Sequence, residues 1–243
     1  MAAFLKLIFW LCLLATTVAW WNYDQFVMPM QVHPALDAEP VQEATRKKPF
    51  TVSSEGVTYQ INPLFQYDLH GMVVSFRHHD GDSRLHRLWN DRLNVVDLCV
   101  VWGQNAKLPD LNAFDFWNGQ FTCFVRTSSS EAWSQFNTDQ LSNLHVLTDR
   151  PHLRDLINSV ELGDQIHITG LLAEYGHDGA SVRSSSTVRD DGGNGACETI
   201  YAESFSIIRP MDSAWRSLWV FAGVGTLLSA FLWLLGVGSG RLR

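Results

Sequence analysis

The sequence lacks the short motifs by which the commonest enzyme classes are identified. Its 243 residues include four cysteines but no CxxC pair, so they predict neither a thioredoxin-type dithiol nor a zinc ribbon. There is also no HExxH of a zinc protease, no GxSxG turn of a serine hydrolase and no GxxxxGK(S/T) phosphate loop. We therefore expect no bound cofactor, and the residues do not predict an enzyme.

Basic residues are scarce as well. The chain has 18 Lys and Arg against 25 Asp and Glu, which gives a formal net charge of −7. The imbalance is stronger in the middle, where residues 50–210 hold 11 basic and 20 acidic side chains. Proteins bind nucleic acid through concentrated Lys and Arg. This composition therefore argues against a nucleic-acid-binding surface.

What the sequence does contain is a long uncharged apolar run near each end, at 7–23 and 217–240. A helix needs roughly 20 mostly apolar residues to cross a bilayer. We therefore predict an N-terminal transmembrane anchor or signal over 1–23 and a C-terminal transmembrane helix over 215–240. The membrane is the first partner that the sequence predicts.

The N-terminal run has two interpretations. The small residues at 17–19 would suit a signal-peptidase site, which would make the segment a cleaved signal. The run continues through Trp20 and Trp21, however, and aromatic residues suit the lipid–water boundary of a retained anchor. Both interpretations send the middle of the chain across the membrane, and the aromatic residues favour retention.

Charge at the ends predicts the orientation. Lys6 precedes the first run, and Arg241 and Arg243 follow the second. Basic residues mark the cytoplasmic side of a membrane, so we expect both termini inside and a soluble domain, residues 50–210, outside. The expected location is a bacterial cytoplasmic (inner) membrane. Residues 24–49 are proline-rich without an apolar period, which predicts a tether.

The soluble region is predicted to be mainly β with one helix. Residues 95–102 are almost continuously apolar, which is typical of a strand buried on both faces. Between 149 and 160 an apolar stripe at helical spacing comprises Leu153, Leu156, Ile157 and Val160. The predicted strands are 69–76, 95–102, 121–125, 165–175 and 199–208.

Three strands, a helix and two strands follow one another in the OB-fold, a five-stranded Greek-key barrel. The passage VELGDQIHITG at 160–170 resembles the connection from the helix to the fourth strand of such barrels. Further segments resemble small membrane-anchored bacterial proteins without an assigned activity: 67–71, 97–103, 121–123, 141–145 and 185–198. The resemblance implies an OB-like barrel flanked by transmembrane helices. It implies no mechanism, because OB barrels bind oligonucleotides, oligosaccharides and proteins alike.

Three cysteines lie in the soluble region, and an exported domain would allow two of them to oxidise. In the OB order the third and fifth strands are neighbours. Cys123 lies in the expected third strand and Cys197 just precedes the fifth, so we favour a Cys123–Cys197 disulfide. A Cys99–Cys123 bridge across a hairpin and three unpaired thiols are the alternatives.

The densest polar cluster follows the first predicted strand. Its imidazole and carboxylate groups would suit a divalent metal ion: His78, His79, Asp80 and Asp82. On an extended strand, however, His78 and His79 would point to opposite faces, so a solvated loop is favoured over a metal site. Similarly, His70 beside Asp68 would be a catalytic base or, more commonly, one half of a polar pair at a strand edge.

Two hypotheses for function follow. The favoured one is a membrane-anchored envelope protein whose extracytoplasmic β-barrel domain binds another envelope protein or a glycan. The alternative is a membrane-anchored, metal-dependent hydrolase that uses the cluster at 78–82. Stoichiometric zinc or manganese in the purified protein would favour the alternative.

Overall fold

A computed structural model describes residues 2–79, 84–119, 122–177, 182–188 and 197–238. The chain divides into two compact units, one formed by Met1–Val27 with Asp212–Arg243 and the other by Met28–Met211. The helices are α1 (Ala2–Trp21), α2 (Arg84–Trp89), α3 (Ser130–Gln135), α4 (Pro151–Asn158) and α5 (Ala214–Gly238). The strands are β1 (Val41–Ala44), β2 (Phe50–Ser54), β3 (Val57–His78), β4 (Asn94–Val101), β5 (Asp115–Asn118), β6 (Cys123–Arg126), β7 (Leu141–Leu147), β8 (Gln165–Gly176) and β9 (Cys197–Arg209).

The first unit is a pair of helices, α1 and α5. Both are long and apolar enough to cross a membrane, which agrees with the two predicted spans in length and composition. Thr16 Oγ1 lies 3.4 Å from Thr226 Oγ1, and the rings of Phe9 and Trp233 lie 6.3 Å apart. Because residues early in α1 meet residues late in α5, the two helices run antiparallel.

The second unit is mainly β. Five strands pair in a closed cycle: β3 with β4, β4 with β7, β7 with β9, β9 with β8, and β8 with β3. The β7–β9 pair is parallel and the other pairs are antiparallel. β3 is 22 residues long, which leaves room for β1 and β2 to pair with it as well. β5 and β6 form a separate two-stranded sheet.

All five strands of the cycle and α4 contribute to the main hydrophobic core. Alternate residues of β4, Val96, Leu98 and Val100, are fully buried in it. α4 adds Leu153 and Ile157 from successive turns. Each buried aliphatic side chain stabilises the fold by about 1.5–3 kcal/mol relative to an exposed one. The apolar pattern along β4 and α4 therefore places both elements against this core.

Most of the predicted elements are confirmed. β4, β8 and β9 correspond to the strands predicted at 95–102, 165–175 and 199–208, and the strand predicted at 69–76 lies within β3. The helix begins at Pro151, and its apolar stripe faces the core. The coarse class, mainly β with helices between two apolar terminal helices, is therefore as expected.

Gly170 marks an irregularity in β8. The register between β8 and β9 shifts between Thr169 and Gly170. A Cβ atom on Gly170 would collide with the backbone carbonyl oxygen of Tyr201. Only glycine allows the two strands to approach so closely at this point.

The strand predicted at 121–125 exists as β6 but does not take the predicted place. Among the described strands, β6 pairs with β5 alone, and its residues alternate between half-buried and exposed. The place beside β4 belongs to β7, six of whose seven residues are buried. The sequence does not predict β7 as a strand, because Ser142, Asn143 and His145 interrupt its apolar pattern.

The segment predicted as a tether, 24–49, is partly folded onto the β unit. It contains a short 3-10 helix, Pro34–Asp37, in which Leu36 is fully buried, and strand β1. Glu39 accepts a hydrogen bond from the indole of Trp102 at 2.7 Å. The compact β unit accordingly begins at Met28.

The disulfide joins Cys99 in β4 to Cys123 in β6, with a Cα–Cα distance of 5.6 Å. The favoured pairing, Cys123–Cys197, is therefore wrong, and the hairpin alternative is the one that forms. The reason is topological: Cys123 lies in the separate β5–β6 sheet and not in the strand beside β9. Cys197 keeps its thiol, and the disulfide fixes the β5–β6 hairpin to β4.

Candidate functional site

A layer of polar side chains is buried on one face of β4 and β7. Asp97 and His145 are direct partners in the register of this antiparallel pair, so their side chains leave the same face. They are only 3% and 6% exposed. Their neighbours Leu98 and Leu144 belong to the main core. Alternation along the strands thus accommodates a carboxylate within an otherwise apolar β4.

Three donors meet the carboxylate of Asp97. His145 Nδ1 pairs with Oδ1, His79 Nε2 lies 2.9 Å from Oδ2, and Asn94 Nδ2 donates to Oδ1 at 3.1 Å. Burial alone would raise the pKa of Asp97, but the hydrogen bonds and charges of His145 and His79 lower it below its ordinary value. The carboxylate therefore stays ionised in the interior.

His145 carries the complementary charge. Burial disfavours its imidazolium form, but the hydrogen bond and charge of Asp97, with a smaller contribution from Cys197, raise the pKa of His145 to about 10. His145 is therefore protonated at neutral pH. Asp97 and His145 form a buried ion pair between two central strands.

Cys197 extends this polar layer to β9. Asn143 Nδ2 donates to its Sγ at 3.3 Å, and Asn118 of the hairpin donates to Asn143 Oδ1 at 3.3 Å. Cys197, His145 and Asp97 thus adjoin one another in the order of a nucleophile, a base and an orienting acid. The thiol is only 6% exposed, however. In this structure the polar layer links β4, β7 and β9, and the Cys197 thiol is not accessible to a substrate.

The structure separates the residues predicted as possible metal ligands. His78 is exposed, whereas His79 is buried against Asp97, on the opposite face, as the alternation of a strand requires. His79 is thus engaged by Asp97 and does not face His78. Asp80 and Asp82 lie outside the described residues.

A surface groove of about 510 Å³ runs along β2, β3 and β8. Most of its side chains are neutral and offer hydrogen-bond donors and acceptors: Thr51, Thr58, Gln60, Asn62, Glu174, Tyr175, Gly176, His177 and Val182. Glu174 is the one carboxylate among these described lining residues, and they include no Lys or Arg. The groove therefore suits an uncharged polar ligand better than an anion.

Several groove side chains are held in place by neighbours. Asn62 Nδ2 donates to Glu174 Oε2 at 2.9 Å, and Ser184 Oγ donates to the other carboxylate oxygen at 3.2 Å. His177 Nε2 lies 2.8 Å from the backbone carbonyl oxygen of Trp89. Such contacts reduce the side-chain ordering that a ligand would otherwise have to impose on binding.

A third polar cluster lies at the other end of the β3–β8 pair. His167 Nε2 lies 2.9 Å from Asp68 Oδ1, and His70 Nδ1 lies 3.8 Å from the same oxygen. The sequence predicted a pair of Asp68 and His70, and the strand register adds His167. Burial and the charge of His167 lower the pKa of His70, against the opposing effect of Asp68.

No protein-family model, curated protein or solved structure matches this chain. Its function has to be inferred from its own residues and their geometry.

These three features differ in how far they can be predicted from the sequence. Asp97 was visible as the one charged residue in an apolar run, and a buried carboxylate requires a buried partner. A buried basic partner such as a histidine can therefore be expected from the sequence, but His145 cannot be identified as that partner. The groove could not be predicted, because Thr58, Gln60 and Asn62 alternate along β3 as on any exposed strand face and the other lining residues come from distant parts of the chain.

Proposed function

We propose that this protein is anchored in a bacterial cytoplasmic membrane by α1 and α5 and that its β unit binds a neutral glycan outside the cytoplasm. The observation that carries the proposal is the groove along β2, β3 and β8, with its uncharged hydrogen-bonding lining. We infer binding and not catalysis because the most strongly perturbed titratable pair, Asp97 and His145, is buried and paired.

The chemistry of the groove suits sugar hydroxyls. Each hydroxyl can donate and accept hydrogen bonds, as can the side chains of Thr51, Thr58, Gln60 and Asn62. A carboxylate such as Glu174 accepts hydrogen bonds from pairs of hydroxyls. The lack of Lys and Arg among the described lining residues, and the acidic composition of the unit, disfavour phosphate-rich or carboxylate-rich ligands.

The order of the strands supports the OB-like interpretation. The cycle β3–β4–β7–β9–β8, with α4 between β7 and β8, follows the strand order of a five-stranded Greek-key barrel. Such barrels bind oligosaccharides among other ligands. This likeness concerns architecture, so the groove, and not the fold, is the reason for proposing a glycan.

Two observations support an extracytoplasmic β unit. The antiparallel arrangement of α1 and α5 is compatible with both termini on one side of the membrane. The Cys99–Cys123 disulfide suits an oxidising compartment. Alkaline phosphatase fused after Pro210 should be active and a fusion after Arg243 inactive, because the enzyme requires export. The reverse pattern would contradict this orientation.

Binding can be tested with the full-length protein in detergent micelles. Neutral oligosaccharides, such as fluorescently labelled chitotetraose and maltotetraose, would be titrated and followed by fluorescence anisotropy. Gln60→Ala removes a hydrogen-bonding group from the groove, and Glu174→Gln replaces an acceptor oxygen by an N–H donor. Each should weaken binding about five- to tenfold, as expected for the loss of one or two hydrogen bonds. Gln135→Ala on α3, outside the groove, is the matched control and should bind as the wild type does.

The outcome separates a glycan from a protein ligand. If no neutral oligosaccharide binds, or if the groove variants bind as tightly as the control, the glycan proposal is wrong. Capture of a specific membrane protein by the wild type but not by Glu174→Gln would instead assign the groove to a protein partner.

A further inference from the structure

Asp68, His70 and His167 project from one face of two paired strands. His70 and His167 are direct partners in the β3–β8 register, and Asp68 lies two residues before His70 on the same face. Leu69, which lies between Asp68 and His70, and Ile168, which follows His167, are fully buried on the opposite face. The backbone that carries the three polar side chains is therefore fixed by the core.

The three side chains place nitrogen and oxygen ligand atoms close to one another. Their closest ligand atoms all lie within 4.8 Å of one another. The two imidazole rings are parallel, with centroids 3.9 Å apart and an angle of 5° between their planes. A zinc ion held at 2.0–2.1 Å in a tetrahedral site separates its ligand atoms by roughly 3.3 Å. Because an ion bound to an imidazole lies in the plane of the ring, binding would require at least one of the two stacked rings to rotate out of the stack.

The cluster is also accessible. The side chains of His70, His167 and Asp68 are 28%, 29% and 45% exposed, so an ion can reach them from solvent. This distinguishes them from Asp97, His79 and His145, which are almost fully buried and whose carboxylate already has three donors. Among the described residues, the cluster of Asp68, His70 and His167 therefore offers a better site for an exchangeable ion than the buried cluster around Asp97.

We propose that Asp68, His70 and His167 bind a divalent transition-metal ion, with zinc the best match. Two imidazoles and one carboxylate suit zinc and related ions, whereas calcium and magnesium prefer sites built wholly of oxygen. Three protein ligands leave a fourth position for water or for a ligand from outside. The site is separate from the groove: Asp68 lies six residues along β3 from Asn62, the nearest groove residue of that strand, or roughly 20 Å of extended strand.

The test uses the full-length protein in detergent, without a histidine tag, after treatment with EDTA and dialysis. Cobalt(II) would be titrated and followed by its visible absorption, and zinc affinity would be measured by competition with a chromophoric chelator. The wild type should bind one equivalent of each ion, and cobalt should show the intense bands of a four-coordinate site. His70→Ala and His167→Ala should each weaken zinc binding at least about tenfold, since even second-shell changes cost that much.

Two controls keep the result interpretable. His152→Ala removes an exposed histidine from α4 and should leave affinity and stoichiometry unchanged. Gln60→Ala, in the groove, should also bind zinc normally, so that failure of the glycan proposal and failure of the metal proposal can be told apart. If an alanine variant does not fold, as judged by near-UV circular dichroism, Asp68→Asn provides the test, because it keeps the shape of a half-exposed side chain.

The proposal is overturned if the wild type binds no stoichiometric zinc. It is also overturned if the double variant His70→Ala/His167→Ala binds zinc as tightly as the wild type, or if His152→Ala loses as much affinity as His70→Ala. The last two results would assign the binding to other histidines of the chain.

Discussion

Replacing Asp97 by asparagine tests how much the buried ion pair contributes to stability. The substitution removes the charge of the carboxylate but keeps its shape and one acceptor oxygen. His79, His145 and Asn94 all direct donors at this group. In the variant, His145 would no longer face a negative charge, and burial would favour its neutral form.

The expected loss follows from the cost of breaking a buried ion pair. Removing one partner of such a pair costs about 3–5 kcal/mol, because the other charge is left uncompensated. The raised pKa of His145 agrees in direction, since it reflects the attraction of the Asp97 carboxylate. Because His145 can lose its proton in the variant, we expect the lower end, about 3 kcal/mol.

The loss should depend on pH in a defined way. The folded-state pKa of His145 is raised, so its contribution is complete below about pH 6.5 and is lost as the pH rises towards 10. The folded-state pKa of Asp97 is lowered, so its contribution is present above about pH 4 and is lost at more acidic pH. The stability difference between wild type and variant should therefore be largest between about pH 4 and 6.5.

Urea denaturation of the full-length protein in detergent, followed by near-UV circular dichroism, would measure this difference at pH 5, 7 and 9. Asp155→Asn on α4 is the matched control, since Asp155 is exposed and the same charge is removed. The control should change the free energy of unfolding by less than about 0.5 kcal/mol. An Asp97→Asn variant within 0.5 kcal/mol of the wild type at pH 5, or with an identical pH profile, would refute the reasoning.

Three further predictions concern the packing and the disulfide. Val100→Asp places an unpaired carboxylate in the main core, which costs several kcal/mol; a variant that still melts cooperatively at the wild-type temperature would contradict the position of β4. Ile157→Ala should lower the free energy of unfolding by about 2–5 kcal/mol because Ile157 is fully buried. Leu156→Ala should lower it less, because Leu156 is only partly buried. Equal losses in urea denaturation would contradict this orientation of α4. Peptide mapping without reduction should recover Cys99 linked to Cys123, and recovery of both as alkylated thiols would contradict the bridge.

Where apolar residues alone define an element, the sequence predicted it. β4 followed from a continuous apolar run, since both of its faces are covered. α4 followed from an apolar stripe at helical spacing, because Leu153 and Ile157 face the core from successive turns. β8 followed from alternation, with Ile166 and Ile168 buried and His167 on the other face.

Where polar residues are buried because they pair with one another, the apolar pattern of the sequence does not reveal the element. β7 contains Ser142, Asn143 and His145, which resemble a surface pattern until their partners on β4 and β9 are known. The wrong disulfide has the same cause. Without β7, the strand that contains Cys123, β6, is assigned as the third strand of the barrel, beside the strand that follows Cys197. The cluster of Asp68, His70 and His167 likewise depends on a register between strands about a hundred residues apart, which no local pattern encodes.

The parallel pairing of β7 with β9 has a consequence for the biogenesis of the protein. The two strands are partners across about fifty residues, and β8 pairs with β3 across about a hundred. Contacts between such distant segments form slowly, because the chain must first close long loops. β9 ends at Arg209, only a few residues before α5 begins at Ala214. If the β unit is exported, β7 and β8 each keep an unpaired edge until β9 has been synthesised, and such exposed edges make the nascent unit prone to aggregation.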